Sequence, residues 1–195
     1  MKKLALAAFL LLSAPALAAP AKYTYDPAHT QIMFSVSHLG FSFSHGMFTK
    51  FSGGFTFDPV APEASAADMT IDVASIDMNS KEWENHLRSK DFFNVEKFPT
   101  MTFKTTRVEK TGEKTANVTG DFTLLGVTKP VTLSVTFNGA GQHPMNKNMV
   151  AGFSAAGKIK RSDFGMTYAL PNVGDEVNLM IQVEGVRQDF ANDKR

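Results

Sequence analysis

The sequence predicts an all-β domain of eight antiparallel strands with one short helix. Apolar and polar residues alternate with a period of two in eight separate runs, and a single interruption has helical spacing instead. No repeat of about 20 to 50 residues is present. An up-and-down barrel and a β-sandwich both fit this pattern. The two differ in that a sandwich needs no cavity, whereas an eight-stranded barrel is just wide enough to hold one small ligand.

The predicted strands follow one another with short connections. Gly53 and Gly54 lie inside the second run and indicate a bulge or bend there. Connections of hairpin length around Gly112 and at Gly126-Val127-Thr128 favour antiparallel neighbours. The eight runs cover residues 32–38, 47–57, 69–73, 101–105, 116–124, 131–137, 151–159 and 177–183.

The interruption predicts a helix from about Lys81 to Ser89. Asn79 is a suitable N-cap, and Glu82 stands three residues after it, as in a capping box. Trp83 and Leu87 are four apart and therefore share a helix face. Two long irregular segments, residues 138–148 and 161–175, are expected at the ends of the barrel.

The N-terminus predicts a secretory signal peptide over residues 1–18. Lys2 and Lys3 precede a nine-residue apolar run, and Ala16 and Ala18 form an A-x-A cleavage site. The run is shorter than the roughly 20 residues that span a membrane, so we expect a periplasmic product without membrane insertion. Cleavage leaves a single domain, residues 19–195, with 18 basic and 19 acidic residues and a formal charge of −1.

Composition and motifs exclude several functional classes. The near-zero net charge argues against nucleic-acid binding, which requires a basic surface. The chain has no cysteine, and its five histidines lack the spacing of a local metal site, so neither a metal nor a cofactor is predicted. Ser154 stands in a predicted strand without the turn of a nucleophile elbow. We therefore predict no catalytic residue.

The aromatic content is unusual, with 17 Phe against 3 Tyr and 1 Trp, together with 10 Met. A Phe-rich core explains any one of these residues, but the set also fits the lining of an apolar cavity. Strands of about ten residues, tilted about 40°, would form a barrel roughly 25 Å tall. Burial contributes on the order of 0.8 kcal/mol per methylene, so such a lumen suits a long hydrocarbon chain.

Seven ordered motifs resemble the YceI family and span nearly the whole mature chain. The first two run from Tyr25-x-Asp-Pro-x-His29 to His38-x-Gly40 and from Gly46-x-Phe48 to Gly53. The others are Ser75-Ile76-Asp77, His86-Leu87-x-Ser89-x-Asp91-Phe92-Phe93, Phe98-Pro99-x-Met101-x-Phe103, Gly120 to Val131 with Gly126-Val127-Thr128-Lys129-Pro130, and Arg161-Ser162-Asp163-Phe164-Gly165 followed by Val173-Gly174-Asp175.

The resemblance implies a lipocalin-like, eight-stranded antiparallel barrel with an apolar lumen. It further implies a periplasmic protein that binds, transports or stores a polyisoprenoid or a similar long-chain lipid, in a family with members induced by stress. Fatty amides, quinone-like molecules and prenyl diphosphates all fit that ligand description. The family supplies no catalytic residues to transfer. A homodimer is compatible with the fold, and the strand pattern does not test it.

We expect the ligand to contact two groups of residues. Ten apolar strand residues should face the lumen: Phe34, Val36, Ile71, Val73, Met101, Phe103, Leu133, Val135, Leu179 and Ile181. Six polar residues are candidates for contacts near a barrel mouth: His38, His86, Ser89, Asp91, Arg161 and Asp163. For Arg161 and Asp163, an ion pair or an Asx turn that stabilises the loop is an equal alternative.

Two further functions remain open at this point. The first is an enzyme acting on a prenyl or acyl lipid, with a histidine and Asp91 or Asp163 as acid and base. The second is a quinone-binding accessory to a membrane redox protein.

Overall fold

The chain forms one antiparallel sheet that closes into a barrel, seen in a computed structural model that describes residues 20–190. The predicted signal peptide lies outside the described residues. The strands are β1 Ala21–Tyr25, β2 Gln31–His38, β3 Ser42–Phe48, β4 Phe51–Phe57, β5 Ala66–Asp72, β6 Ile76–Asp77, β7 Thr100–Lys110, β8 Thr115–Leu124, β9 Val127–Gln142, β10 Met149–Lys160 and β11 Val173–Arg187.

The closed barrel has eight strand positions around its circumference, which we call staves, and this confirms the predicted fold class. The sheet order is β1-β4-β5-β7-β8-β9-β10-β11, and β11 returns to pair with β1. Residues 185–187 of β11 pair with β1, while residues 173–182 pair with β2. β1 and β2 therefore share one stave beside β11, and β3 and β4 form the next one. The small β6 pairs with the end of β3.

The predicted strand 47–57 is wrong as a single run, because it is broken at Thr49 and Lys50. The break reverses the facing, so that β3 turns Phe48 into the lumen while β4 turns Phe55 and Phe57 inward. Gly53 adopts a φ of 114° without a register shift against β5, so it is no bulge. It allows a close approach to the backbone of Asp68.

The one α-helix within residues 20–190, α1, spans Lys81–Arg88 and confirms the predicted position to within one residue. Its N-cap is Ser80, whose Oγ accepts a hydrogen bond from the backbone N–H of Trp83, and not Asn79 as predicted. Asn79 instead adopts a φ of 54° in the turn before the helix. None of the described helices is long and apolar enough to cross a membrane.

Other strands also differ from the sequence prediction: β1 and β6 were not predicted, and β7, β9 and β11 are longer than the runs 101–105, 131–137 and 177–183. β5 ends at Asp72, so Val73 does not lie in a strand; it begins a 3-10 turn, where the Asp72 side chain accepts a hydrogen bond from Ala74. Residues 138–142, predicted as irregular, extend β9 and pair with β10, which leaves only 143–148 as the connecting turn. Gly139 and Gly141 are tolerated there because the paired strands supply the hydrogen bonds.

Candidate functional site

The barrel encloses an elongated cavity of about 470 Å³. Side chains from all eight staves line it, and nearly all of them are apolar. Among the described residues, the lining contains four charged side chains, and all four lie at the two ends of the barrel: Lys110, Glu113, Lys114 and Arg161. The middle of the lumen therefore offers a ligand hydrophobic contact and no ionic partner.

One end of the cavity is polar and exposed, and we call it the polar rim. It consists of the β7–β8 turn with Lys110, Glu113 and Lys114, and of residues 58–65 between β4 and β5. The Asp58 side chain orders the second segment by accepting hydrogen bonds from the backbone N–H groups of Val60 and Ala61 at 2.8 and 3.1 Å. A polar headgroup at this end would remain in contact with water.

The opposite end is closed by α1 and the segments that follow it, and we call it the helix end. Leu87 of α1 and Phe92 reach the cavity, and Phe92 is buried. Met166 and Arg161, from the segment between β10 and β11, are buried beside them. This end contributes apolar surface and one buried guanidinium group.

Phenylalanine rings form a continuous wall across one side of the lumen. The ring of Phe153 meets those of Phe55, Phe57 and Phe137 at centroid distances of 5.4, 5.1 and 5.4 Å. Tyr23 stacks on Phe55 at 4.8 Å. The contacts are edge-to-face, tilted or stacked, arrangements that add to the stabilisation from area burial. The many Phe residues of the sequence thus form a stiff apolar surface on one side of the lumen.

The structure places nine of the ten predicted apolar residues on the cavity wall. They are Phe34, Val36, Ile71, Met101, Phe103, Leu133, Val135, Leu179 and Ile181. Val73 is not among the lining residues; it is 1% exposed and packs in the core behind the 3-10 turn. Whether the nine touch a ligand stays a prediction.

The six predicted polar residues lie at the helix end, and only Arg161 of them lines the cavity. His38 ends β2 and lies 6.1 Å from the ring of Trp83. His86 Nε2 lies 3.5 Å from Asp91 Oδ2 on the outer surface, and the Ser89 Oγ accepts a hydrogen bond from the Asp91 backbone N–H. The expected polar contacts are therefore not grouped around a mouth.

Arg161 is buried and is held by backbone carbonyls. Its Nε donates to Gly174, its Nη1 to Met166 and Tyr168, and its Nη2 to Val173, at 2.8 to 3.1 Å. Burial lowers the pKa of the guanidinium, and Asp175 acts in the opposite direction. Four hydrogen bonds to the loop before β11 and to the first two residues of β11 are the arrangement of a structural anchor.

Asp163, the predicted partner of Arg161, is exposed in the 3-10 helix Arg161–Phe164. The carboxylate that stabilises this turn is Asp175, which accepts hydrogen bonds from the backbone N–H and the Oγ of Ser162. These bonds, the backbone one above all, lower the pKa of Asp175. The ion pair between Arg161 and Asp163, one of the alternatives for these residues, is therefore replaced by two separate interactions.

One group of side chains in residues 20–190 has the composition of a metal-ligand set. The ligand atoms of Asp26, His29 and Glu184 lie within 4.8 Å of one another at the β1–β2 turn. His29 is exposed and its ring already pairs with Asp26. None of the three lines the cavity, so the group takes no part in the candidate binding site.

Several lining residues were absent from the sequence-based set. Phe137 and Val183 share the parity of the predicted inward positions in their strands, so the alternation was sufficient to identify them. No inward position was predicted in the strands that carry Phe55, Phe57 and Phe153. Leu87, Phe92 and Phe93 come from the helix and the turn after it, where alternation does not apply. For the rim residues Lys110, Glu113 and Lys114, the sequence predicted the hairpin turn around Gly112 but not that this turn borders the cavity.

Comparison with known proteins extends over most of the chain. The profile of a family described as the YceI-like domain matches residues 23–185. A UPF0312 protein of Azotobacter vinelandii is 43% identical over 185 residues, which are 95% of this chain and 96% of that protein. Protein YceI of Salmonella arizonae is 44% identical over 183 residues, covering 94% and 95% of the two chains.

Solved structures with the same fold include BcnA of Burkholderia cenocepacia. It superposes with a TM-score of 0.75 at 29% identity, covering 82% of this chain and 98% of its own. The Campylobacter jejuni YceI protein gives a TM-score of 0.71 at 34% identity over 78% and 90% of the two chains. A polyisoprenoid-binding domain of Saccharophagus degradans shares the fold, with a TM-score of 0.61 at 15% identity over 87% and 99%.

Proposed function

The chain belongs to the YceI family, and on that premise we propose that it is a periplasmic carrier that holds a polyisoprenoid or similar long-chain lipid in its lumen. The observation that carries the proposal is the cavity of about 470 Å³, with an apolar wall along its length and charges only at its ends. Such a lumen gains free energy from each buried methylene and offers no charged group along its middle to select against a hydrocarbon.

The two ends of the cavity suggest how the ligand lies. A polar headgroup is best solvated at the rim, beside Lys110 and Lys114. The hydrocarbon then extends past the Phe153 wall toward Phe92 at the helix end. In the opposite orientation the headgroup would lie at the helix end, where Arg161 already donates to four backbone carbonyls. Burial of an uncharged polar group without partners costs roughly 2–7 kcal/mol, so this orientation is disfavoured.

The proposed role is to bind and not to transform the lipid. His86 and Asp91, one of the acid–base pairs that the alternative enzyme hypothesis allows, lie outside the lumen, with Phe92 between His86 and the cavity at a ring distance of 5.1 Å. A general acid or base must come within about 3 Å of the reacting atom. The fold of the Saccharophagus degradans domain, which is described as polyisoprenoid-binding, is consistent with a binding role.

The test is to purify the protein from the periplasm, record its native mass and identify by mass spectrometry what organic extraction releases. We expect a stoichiometric apolar molecule that returns unchanged after incubation with the stripped protein. A chemically altered lipid would favour the enzyme, and a bound redox-active chromophore would favour the quinone-binding accessory. If no apolar molecule co-purifies or binds when supplied, the carrier proposal is wrong.

A further inference from the structure

Five large apolar side chains are exposed together at the helix end, and we call them the apolar tip. The β2–β3 turn carries two of them, β3 one, α1 one and the segment before β11 one. Their exposed fractions are 50% for Leu39, 91% for Phe41, 58% for Phe43, 46% for Trp83 and 47% for Tyr168. A contiguous exposed apolar patch of this kind marks an interaction surface more often than chance exposure does.

Direct contacts connect the elements that form the tip. The Leu39 backbone N–H donates to the Asn172 carbonyl at 2.7 Å, which joins the β2–β3 turn to the segment carrying Tyr168. The rings of His38 and Trp83 are 6.1 Å apart, which brings α1 to the same turn. The five side chains therefore belong to one surface.

Leu39 adopts an unfavourable backbone conformation in the β2–β3 turn. Leu39 and Gly40 have φ values of 55° and 73°, and the Phe41 N–H donates to the His38 carbonyl at 3.0 Å, which defines a type I′ hairpin turn. An apolar non-glycine residue in this left-handed region costs roughly 1–2 kcal/mol. Glycine or asparagine would avoid that cost, so the turn exposes a leucine side chain in spite of a conformational penalty.

The charge pattern around the tip identifies the kind of partner. Residues 31–49, which form β2, the turn and β3, contain no Asp, Glu, Lys or Arg, and neither do residues 164–174. In a chain with 20% charged residues, two segments of this combined length would carry about six. The part of the tip formed by Leu39, Phe41 and Phe43 therefore has no ion pairs to give up and no carboxylate to repel phosphate groups. The exposed charges nearest in sequence to Trp83, Lys81 and Glu82, are of opposite sign, so the tip as a whole suits an amphiphilic surface.

We propose that the apolar tip docks on the surface of a phospholipid bilayer, with the rings of Phe41, Phe43 and Trp83 at the boundary between headgroups and acyl chains. Aromatic side chains favour this boundary, and a projecting hairpin turn can enter it without unfolding. The tip also covers the helix end of the lumen, because the ring of the lining residue Phe92 lies 5.2 Å from the ring of Tyr168. Docking requires no bound cargo, so this inference goes beyond the carrier role and does not depend on it.

The chain contains its own probe of docking, because Trp83 is its single tryptophan. The experiment adds lipid-stripped protein to vesicles of phosphatidylcholine, and separately to vesicles of an equimolar mixture of phosphatidylethanolamine and phosphatidylglycerol. We expect a blue shift of Trp83 fluorescence and co-flotation with both compositions. In the double variant Phe41→Ser with Phe43→Ser, the partition coefficient should fall at least about tenfold.

The matched control is the pair Val60→Ser with Met145→Ser, since neither side chain lines the lumen. Both side chains are large, apolar and exposed, at 76% and 84%, and they lie in the segments at the opposite end of the barrel. This control should leave vesicle binding unchanged, and circular dichroism should show that both double variants fold.

Three results would overturn the proposal. The first is no fluorescence shift with either kind of vesicle, and the second is an equal loss of vesicle binding in the control variant. The third is a dimer mass for the wild type in vesicle-free solution that the double variant Phe41→Ser with Phe43→Ser no longer shows. The last result would assign the tip to a second copy of the chain. Since the vesicle assay is run without cargo, none of these results bears on whether the lumen binds lipid.

Discussion

The Nδ1 of His29 lies 2.8 Å from the Oδ2 of Asp26, across the turn that joins β1 to β2. The same carboxylate accepts a hydrogen bond from the Ala28 backbone N–H through its Oδ1. The turn is held to β11 by Thr30, whose Oγ1 donates to the Glu184 carbonyl. Since β1 and β2 together form the stave that closes the barrel on β11, this pair stabilises the seam of the barrel.

The Asp26–His29 pair predicts a pH-dependent contribution to stability. The hydrogen bond from His29 lowers the pKa of Asp26 from 3.8, and the hydrogen bond to Asp26 raises the pKa of His29 from 6.5. The contribution of Asp26 to stability is fully present above pH 3.8 and is lost as the pH falls through the lowered pKa of Asp26. The contribution of His29 is fully present below pH 6.5 and is lost as the pH rises through the raised pKa of His29. The pair therefore stabilises the fold most between about pH 4 and 6.5.

Urea unfolding of wild type and His29→Gln measures this contribution. The wild type should have the larger free energy of unfolding at about pH 5.5, and the difference should shrink at about pH 8.5. The exposed His45 on β3 provides the control, since His45→Gln should not reproduce the pH-dependent difference. A difference for His29→Gln that stays constant across this range would show that the charge of the pair does not contribute.

Filling the lumen should abolish ligand binding without unfolding the protein. Ala155 of β10 lines the cavity, and Ala155→Phe places a ring in its middle where space exists. We expect binding of a supplied isoprenoid alcohol to weaken at least about tenfold, while the free energy of unfolding changes by less than about 1 kcal/mol. Ala156→Phe, at the neighbouring exposed position, is the control and should bind normally. Equal binding by both variants would mean that the ligand lies elsewhere.

Arg161→Met should destabilise the protein through the loop before β11. The variant removes the donors to the carbonyls of Met166, Tyr168, Val173 and Gly174. We expect the free energy of unfolding to fall by about 3 kcal/mol, measured by urea denaturation, because buried acceptors lose their partners. Lys160→Met, at the exposed preceding position, should be nearly neutral. Full stability of Arg161→Met with loss of ligand binding would instead make Arg161 a ligand contact.

Gly53→Ala should be strongly destabilising. A Cβ at Gly53, where φ is 114°, would collide with the backbone carbonyl of Asp68 on β5. Because neither backbone can move without breaking the β4–β5 pairing, the melting temperature should fall by several degrees, equivalent to about 2–3 kcal/mol. Gly139→Ala, where no atom lies within 4 Å of the added Cβ, should remain near wild type.

Leu39→Asn should stabilise the fold, because asparagine tolerates the left-handed conformation that Leu39 adopts at the hairpin turn. We expect a gain of about 1 kcal/mol in the free energy of unfolding, together with weaker vesicle binding. Leu125 has a similar φ of 52° in the β8–β9 turn, but it packs against the core. Leu125→Asn should therefore lose packing that offsets the conformational gain, and it should not stabilise the fold. A loss of stability in Leu39→Asn would contradict the strain argument.

Most of the barrel could be predicted from the sequence, since alternation with a period of two determines which residues of a strand share a face. Phe34, Leu133 and Ile181 line the cavity for this reason. The helix position followed equally from local spacing. Alternation does not predict which side chains face inward once a strand is interrupted. The interruption at Thr49 and Lys50 divides the predicted run 47–57 into β3 and β4, and the inward-facing positions change parity there.

By itself, the sequence determined the eight-stranded class, the family and the apolar character of the lumen. Only the tertiary structure decided that Lys110 and Lys114 form the polar rim, that Arg161 binds backbone carbonyls instead of Asp163, and which apolar residues remain exposed at the tip. The physical reason is that strand periodicity acts over neighbouring residues, whereas the ends of a barrel are assembled from turns far apart in the chain. Their contacts depend on register and closure, which no local pattern encodes.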